Sequence, residues 1–464
     1  MIRSQSQPQD FVDEASASQD VGFKRELTLY DALMINVGTT LASAIFIVPA
    51  IVLATTGTAF MSSLVWIVAG GLSWCGAVTF SELAVMYPRA GGQYVYLKQA
   101  FSRFWGFLYG WTLFSVIQTA SIAAVAVALM TYLAYFIPMS PVTTKVGSIV
   151  LIMGLTIWNC IAVRTSANIQ NRTTVIKLLT IVAIALICFL FGGDGLAAFQ
   201  EMVPKGPATR TVAGFGAAMV AALWAFDGWA MVTFVSGEVR NPDRVLPRAL
   251  TFSVIGLIII YLLVTNAFIY ALPAADMMVS NRIAADAVEH VMGRIGGGLV
   301  AFAVIVSCFA AVNGLIFTAA RVYFAMARDG VFFSWAAKLS DRKVPVNAIL
   351  AQGVWASALT LTGRYDQLFT YVVFTSWVAY LLGAVAVMVL RQKDPGRLRP
   401  YRAFGYPYIT ALFGVAAWAL LLEVLWHNPR DSVIGLSIVL LGVPLYYYWK
   451  RRSKNIETAD SSFG

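Results

Sequence analysis

Charge is scarce in this chain. Asp, Glu, Lys and Arg make up 12% of its 464 residues, where a soluble domain carries roughly 25%. Hydrophobic residues reach 59% with glycine left uncounted. A water-soluble protein of this size could not hide that much apolar surface, which excludes a soluble enzyme and a disordered chain. Histidine is nearly missing: only His290 and His427 occur, both read as loop residues, and a His-based catalytic or metal centre is not expected. The four cysteines, Cys75, Cys160, Cys188 and Cys308, lie in apolar runs without C-x-x-C or metal spacing. They read as small buried hydrophobes, which argues against a disulfide scaffold. No basic start leads into a short apolar core, so no cleaved signal peptide is expected. Residues 1–26 read as a polar, disordered tail. Gly192-Gly193-Asp194-Gly195 lacks the strand and lysine of a phosphate loop. No nucleophile–base pair or metal cluster stands out, so neither an enzyme nor a cofactor is expected.

What the chain does have is long apolar runs. About 20 such residues cross the hydrocarbon as a helix, and twelve segments qualify: 31–55, 60–86, 95–137, 143–163, 170–193, 211–237, 248–272, 295–328, 345–365, 367–391, 407–427 and 431–449. The natural solvent is lipid. The net charge of +10 then reads as the positive-inside bias, not as a nucleic-acid signature. With the N-terminus inside, external loops hold only Lys145, Lys205, Arg210, Arg282, Arg294, Arg364 and Arg430. Lys177 falls within a segment, and the rest of the 33 Lys and Arg lie on the cytoplasmic side. Both termini are expected in the cytoplasm.

Irregular backbone is tolerated in a bilayer only where it is buried or lines a cavity. Two segments resist a continuous helix. The first carries Gly38-Thr39-Thr40-Leu41-Ala42-Ser43-Ala44-Ile45-Phe46, then Pro49. The sixth carries Trp224-Ala225-Phe226-Asp227-Gly228-Trp229, with an Asp-Gly pair that is unfavourable in a helix and costly in lipid. Interruptions in the first and sixth segments are the pattern of a five-plus-five inverted repeat followed by two extra helices. Half-helix ends of this kind bind charged solutes: N-termini take anionic groups, while C-termini and freed carbonyls take cations. A zwitterionic amino acid offers both. A pair of packing kinks is the plainer alternative, and Asp227 argues against it.

At these residues the chain resembles the amino-acid/polyamine/organocation superfamily, and within it the L-type amino-acid transporters and their bacterial relatives. The motifs are Ala225-Phe226-Asp227-Gly228-Trp229 running through Ser236-Gly237-Glu238-Val239-Arg240-Asn241-Pro242 to Pro247-Arg248-Ala249, Tyr87-Pro88-Arg89-Ala90-Gly91-Gly92-Gln93-Tyr94, Asn313-Gly314 through Ala320-Arg321 to Arg328-Asp329-Gly330, and Arg399-Pro400-Tyr401-Arg402 before Gly405-Tyr406-Pro407. The resemblance spans nearly all of 27–450. It implies an all-α membrane protein of twelve transmembrane helices in a LeuT-like 5+5 inverted repeat with broken helices 1 and 6. Residues 27–193 would form the first repeat, 211–391 the second, 407–449 the two added helices and 450–464 a cytoplasmic tail.

The resemblance also implies site residues. Thr40, Leu41, Ala42, Ser43, Ala44 and Ile45 would form the first break, with Ser43 near a substrate carboxylate. Trp224 matches a gating aromatic. Ala225, Phe226 and Asp227 would form the second break, their carbonyls receiving an amine, and Trp377 matches an aromatic near the pocket. Lys177 matches a lysine standing where sodium-coupled relatives hold sodium, which implies sodium-independent transport; the plainer reading is a side chain that snorkels to the interface. Ser307 would be its polar neighbour. Two departures matter. The family's G-S-G is Ala42-Ser43-Ala44 here, placing methyl groups where backbone approaches the carboxylate, and T-E-E is Ser236-Gly237-Glu238.

Other polar residues have plain readings. Glu82 reads as an ion-pair partner, and Gln118, Ser121 and Asn313 as interhelical hydrogen-bonders. The expected function is a secondary active transporter, exchanger or facilitator, moving amino acids by alternating access. A carrier of amines or another small organic solute is the alternative raised by the two alanines. A channel or receptor is a lesser one, since no filter-like repeat or pore-lining charge ring is present. The expected partners are a small-molecule substrate and membrane lipid. The loop Pro138–Lys145 has no cysteine, so no disulfide-linked heavy chain is expected. The compact loops point to a prokaryotic inner membrane.

Overall fold

The computed structural model describes residues 25–161, 163–200, 208–362, 365–427 and 429–461. Most of the expected N-terminal tail (1–24), Lys205, Arg364 and the last three residues lie outside them. The described chain is helical, with one isolated bridge between Leu27 and Val239.

The first segment is split. Helix α1, Leu29–Thr40, opens with a capping box in which Thr28 Oγ1 caps the Asp31 N–H and Asp31 Oδ2 accepts from the Thr28 N–H at 2.8 Å. After Thr40 the chain bends, makes a 3-10 turn over Ala44–Phe46, and re-forms a helix as α2, Val48–Thr56. Pro49 fixes this restart. It has no N–H to give Ile45 and its ring would strike that carbonyl, so a helix cannot run through, but it fits the first turn of a new one.

The next helices are α3 (Ala59–Met86), α4 (Gln93–Ala100), α5 (Arg103–Leu133), α6 (Pro141–Ile161) and α7 (Val163–Phe191). The expected third segment, 95–137, is thus two elements. The chain leaves helical geometry after Ala100 and restarts at Ser102, an extended residue. One π-helical turn, Leu113–Ile117, interrupts α5; the Ser115 carbonyl there accepts the Trp355 indole N–H at 2.9 Å. The sixth segment is α8, Ala208–Phe226, followed by a turn and a 3-10 stretch, Met231–Glu238. Then come α9 (Pro242–Ala271), α10 (Ala274–Val279), α11 (Ile283–Arg328), α12 (Val346–Thr362), α13 (Tyr365–Lys393), α14 (Tyr408–His427) and α15 (Pro429–Ser461). The eighth segment, expected at 295–328, begins at Ile283 and kinks at Gly293, where φ is 73°. Both histidines, expected in loops, sit on helices α11 and α14.

Among the described residues, ten helices are long and apolar enough to cross a membrane, and the apolar stretch of α12 is shorter. α1 and α2, 12 and 9 residues long, fall below the crossing length singly. The protein is an all-helical membrane protein. α9 lies along α3, α11 along α5 and α7, and α12 along α6. α1 packs on α9 and α7, and α8 packs on α2 and α3.

One end of the bundle is fastened by charge. Arg321 of α11, fully buried, donates Nε to Glu238 Oε1 at 3.0 Å, and its guanidinium lies over the Phe317 ring. The Glu238 carbonyl accepts the Glu26 and Leu27 N–H groups, joining the entry to α1 with the exit from the 3-10 stretch. Glu82 accepts both Arg391 nitrogens, at 2.9 and 2.7 Å, and the Ala403 N–H. Gln118 donates to the Leu315 carbonyl and Asn159 to Asn313, both between helices, while Ser121 only returns to the Ile117 carbonyl of its own helix. Glu238→Gln strips the carboxylate charge from a buried arginine, and is expected to cost about 3–5 kcal/mol. Glu238→Leu with Arg321→Leu is expected to lose less, read by thermal unfolding in detergent; a double variant no better than the single would refute the pairing.

Candidate functional site

The site is built from peptide groups that the two interruptions set free. A helix end leaves about four carbonyls or N–H groups without intrahelical partners, and lipid offers none. At the C-terminal end of α1, Lys177 of α7 supplies donors. Its Nζ donates to the Gly38 carbonyl at 3.0 Å and the Leu41 carbonyl at 2.6 Å, with the residue 3% exposed. The side chain points into the bundle, not to the interface. A cation at a helix C-terminus also meets the negative end of the peptide dipoles. Gly38 makes the approach possible: a Cβ there would stand 2.5 Å from Gln170 Nε2 and closer still to Thr174 Oγ1.

The second interruption begins later than expected. α8 runs through Ala225 and Phe226, because neither residue forces a turn. Gly228, with φ 113°, does. The same glycine brings the two interruptions together. A Cβ on it would lie 3.0 Å from Thr40 Oγ1 and 3.3 Å from Thr40 Cα. Thr40 itself closes α1, so the first interruption comprises Leu41 to Ser43 and then the 3-10 turn holding Ala44 and Ile45. Leu41, Ala42, Ser43, Ala44 and Ile45 are all buried.

Asp227 faces α13. Its carboxylate accepts from the Tyr380 hydroxyl and lies 3.5 Å from Ser376 Oγ. Trp377, between those two in sequence, packs edge-on against Tyr380 at 5.7 Å and at a tilt against Phe413 at 5.8 Å. Trp224 is buried on the last turn of α8. The Phe226 ring packs with Trp66 and Tyr261. Ser307 is 3% exposed and its hydroxyl finds no partner among the described residues, so no hydrogen bond joins it to Lys177.

Four side chains complete the site without having been read from the sequence. Asn36 Oδ1 accepts the Val232 N–H at 2.8 Å, capping the 3-10 stretch across the gap, while its Nδ2 donates to Ser253. The Tyr261 hydroxyl donates to the Ala225 carbonyl, so that carbonyl already holds one partner. Tyr380 and Ser376 hold Asp227. An asparagine one turn before Thr40 in an apolar segment was a usable signal. Ser376 and Tyr380 share a helix face at i, i+4 spacing, but which face turns inward is a tertiary fact.

A protein-family model described as amino acid permease matches residues 27–447. The chain belongs to that family. Similar permeases include the serine/threonine exchanger SteT of Bacillus subtilis (strain 168), 30% identical over 94% of this chain and 99% of its own. The large neutral amino acids transporter small subunit 2 of Homo sapiens is 31% identical over 95% of this chain and 83% of its own. The human cystine/glutamate transporter is 28% identical over 94% and 87%. This permease is a membrane transporter and not an enzyme. Gly228→Ala forces a strained φ against Thr40, at roughly 1–3 kcal/mol. It is expected to lower both thermal stability and transport, whereas Gly71→Ala, where a Cβ meets nothing within 4 Å, leaves both unchanged; equal behaviour of the two would refute the contact.

Proposed function

We propose that this permease is an amino-acid exchanger that works by alternating access without sodium. The observation that carries the reading is the meeting of the two interrupted helices at Thr40 and Gly228, in a chain of the amino acid permease family. Substrate binds between the interruptions. Its carboxylate lies by Ser43 and the 3-10 turn at Ala44 and Ile45, whose N–H ends attract an anion. Its amine lies by the last carbonyls of α8, at Trp224, Ala225, Phe226 and Asp227, with Trp224 and Trp377 closing over the side chain. Relatives named as exchangers and transporters of serine, threonine, cystine, glutamate and large neutral amino acids support an amino acid as cargo.

The ten long helices, α12 and the split first segment together make twelve spans, both termini in the cytoplasm of a prokaryotic inner membrane. The packing supports the five-plus-five repeat. Exchanging segments 1–5 with 6–10 maps the α1–α9 contact onto α8–α3 and α7–α11 onto α13–α5, and maps α3–α9, α5–α11 and α6–α12 onto themselves. Residues 27–193 and 211–391 are then the two repeats, with 407–449 added and 450–464 a tail. Lys177 takes the place of a coupling cation, its ammonium holding the Gly38 and Leu41 carbonyls, with Ser307 nearby as a polar neighbour. No disulfide-linked heavy chain joins the permease.

Proteoliposomes preloaded with an unlabelled amino acid are expected to take up labelled serine, threonine or a large neutral amino acid saturably, faster than empty ones, and equally when potassium replaces sodium. Uptake of amines alone would favour the amine reading that Ala42 and Ala44 suggest; current without saturation would favour a channel. Lys177→Ala is expected to cut exchange at least tenfold while the protein still elutes as a folded species. Wild-type exchange by that variant would refute the lysine's role.

A further inference from the structure

The fastened end of the bundle carries a cavity away from the two interruptions. It has a volume of about 440 Å³ and opens between the latter half of α3, the first turns of α9 and the loop before α14. Arg244 and Arg248, one turn apart on α9, line it, and both are exposed. Neither guanidinium makes an ion pair or side-chain hydrogen bond among the described residues, although Arg321, Arg391 and Arg399 at the same end are all engaged. Asp243 is the one carboxylate in the lining, so the charged wall carries an excess of one positive charge.

Aromatic rings from α3, α9 and the loop before α14 line the cavity as well. Trp74 lines the cavity, packs edge-on against Phe404 at 6.5 Å, and has a buried indole N–H that donates to nothing among the described residues. Phe252, one turn beyond Arg248, is 56% exposed and Phe404 67%. A cavity lined by both cationic and aromatic side chains, on the outer face of a membrane protein, matches the boundary between headgroups and acyl chains. Basic pockets between helices at the cytoplasmic leaflet select acidic headgroups. The two guanidinium forks suit phosphate oxygens, which planar forks hold in pairs of bonds.

We propose that this cavity binds an anionic phospholipid, with Arg244 and Arg248 on its phosphodiester, and with Trp74, Phe252 and Phe404 against the glycerol and the first acyl carbons. The single negative charge of such a lipid cancels the excess in the wall, which a zwitterionic lipid does not. The bound lipid bridges α3, α9 and the loop before α14, three elements that the Glu82 cluster joins only in part. It is therefore a structural ligand, independent of which solute the permease carries.

The test is thermal unfolding of the purified full-length protein in detergent, titrated with phosphatidylglycerol, phosphatidylcholine or free glycerol phosphate. Phosphatidylglycerol is expected to raise the apparent Tm by several degrees, phosphatidylcholine and glycerol phosphate by much less. Arg244→Gln with Arg248→Gln is expected to abolish the difference between the two lipids. The milder Arg248→Lys keeps the charge and is expected to keep part of it, which serves if the double variant unfolds. In native mass spectrometry the wild type is expected to retain phosphatidylglycerol selectively. Equal stabilisation by both lipids, a preference that survives in the double variant, or glycerol phosphate matching the lipid would each overturn the proposal.

Discussion

A peptide group inside a bilayer has no water to bond to, and a helix that stops there exposes several at once. This protein interrupts two of its apolar segments and answers the exposed groups with side chains from elsewhere in the chain. Lys177 reaches from α7 to the end of α1, Asn36 from α1 to the N–H of Val232, and Tyr261 from α9 to the last turn of α8. Each answer crosses between elements. The interruptions are therefore tied to the surrounding helices at defined points, and what remains unbonded between them is available to a solute.

Two kinds of residue set the geometry. Pro49 fixes where the first segment turns helical again, by lacking an N–H for Ile45, and Gly228 ends α8 by accepting a left-handed φ. Gly38 and Gly228 then let backbones come close, against α7 and Thr40. Beyond the interruptions, the buried pair of Arg321 and Glu238 and the Leu27–Val239 bridge pull the starts of α1 and α9 toward α11. A displacement of α1 at that end has to act on the 3-10 stretch as well, because both hang on Glu238. In the exchanger reading, this is the linkage that moves the two interruptions together.

Much of this was legible in the residues. Composition and run length identify a polytopic membrane protein, Pro49 marks the end of the first interruption and the Asp227-Gly228 pair the start of the second. Family motifs add Lys177. What the sequence hid has physical causes. The split of the third apolar run after Ala100 is flanked by Lys98, Gln99, Ser102 and Arg103, but the apolar residues on both sides bridged it in a search for long runs. The start of α11 at Ile283 is amphipathic, not apolar, and escaped a search for spans. Asn36, Tyr261 and Tyr380 are polar or half-polar residues on helices whose inward face depends on the packing of their neighbours. Asp227 is read from the sequence as part of a break whose carbonyls face a solute; in the fold its carboxylate is held by the Tyr380 and Ser376 hydroxyls of α13.

A charge fixed to the chain differs from a dissolved ion in one respect. In the role proposed for it, the Lys177 ammonium is never released to either compartment, so it carries no chemical potential difference into the cycle. As long as the lysine amine keeps its proton, nothing exchanged at that position can drive a solute uphill. The free energy for accumulating one amino acid would then have to come from another moving the opposite way, and at rest the permease would equalise ratios between the two pools and leave the total content of each unchanged.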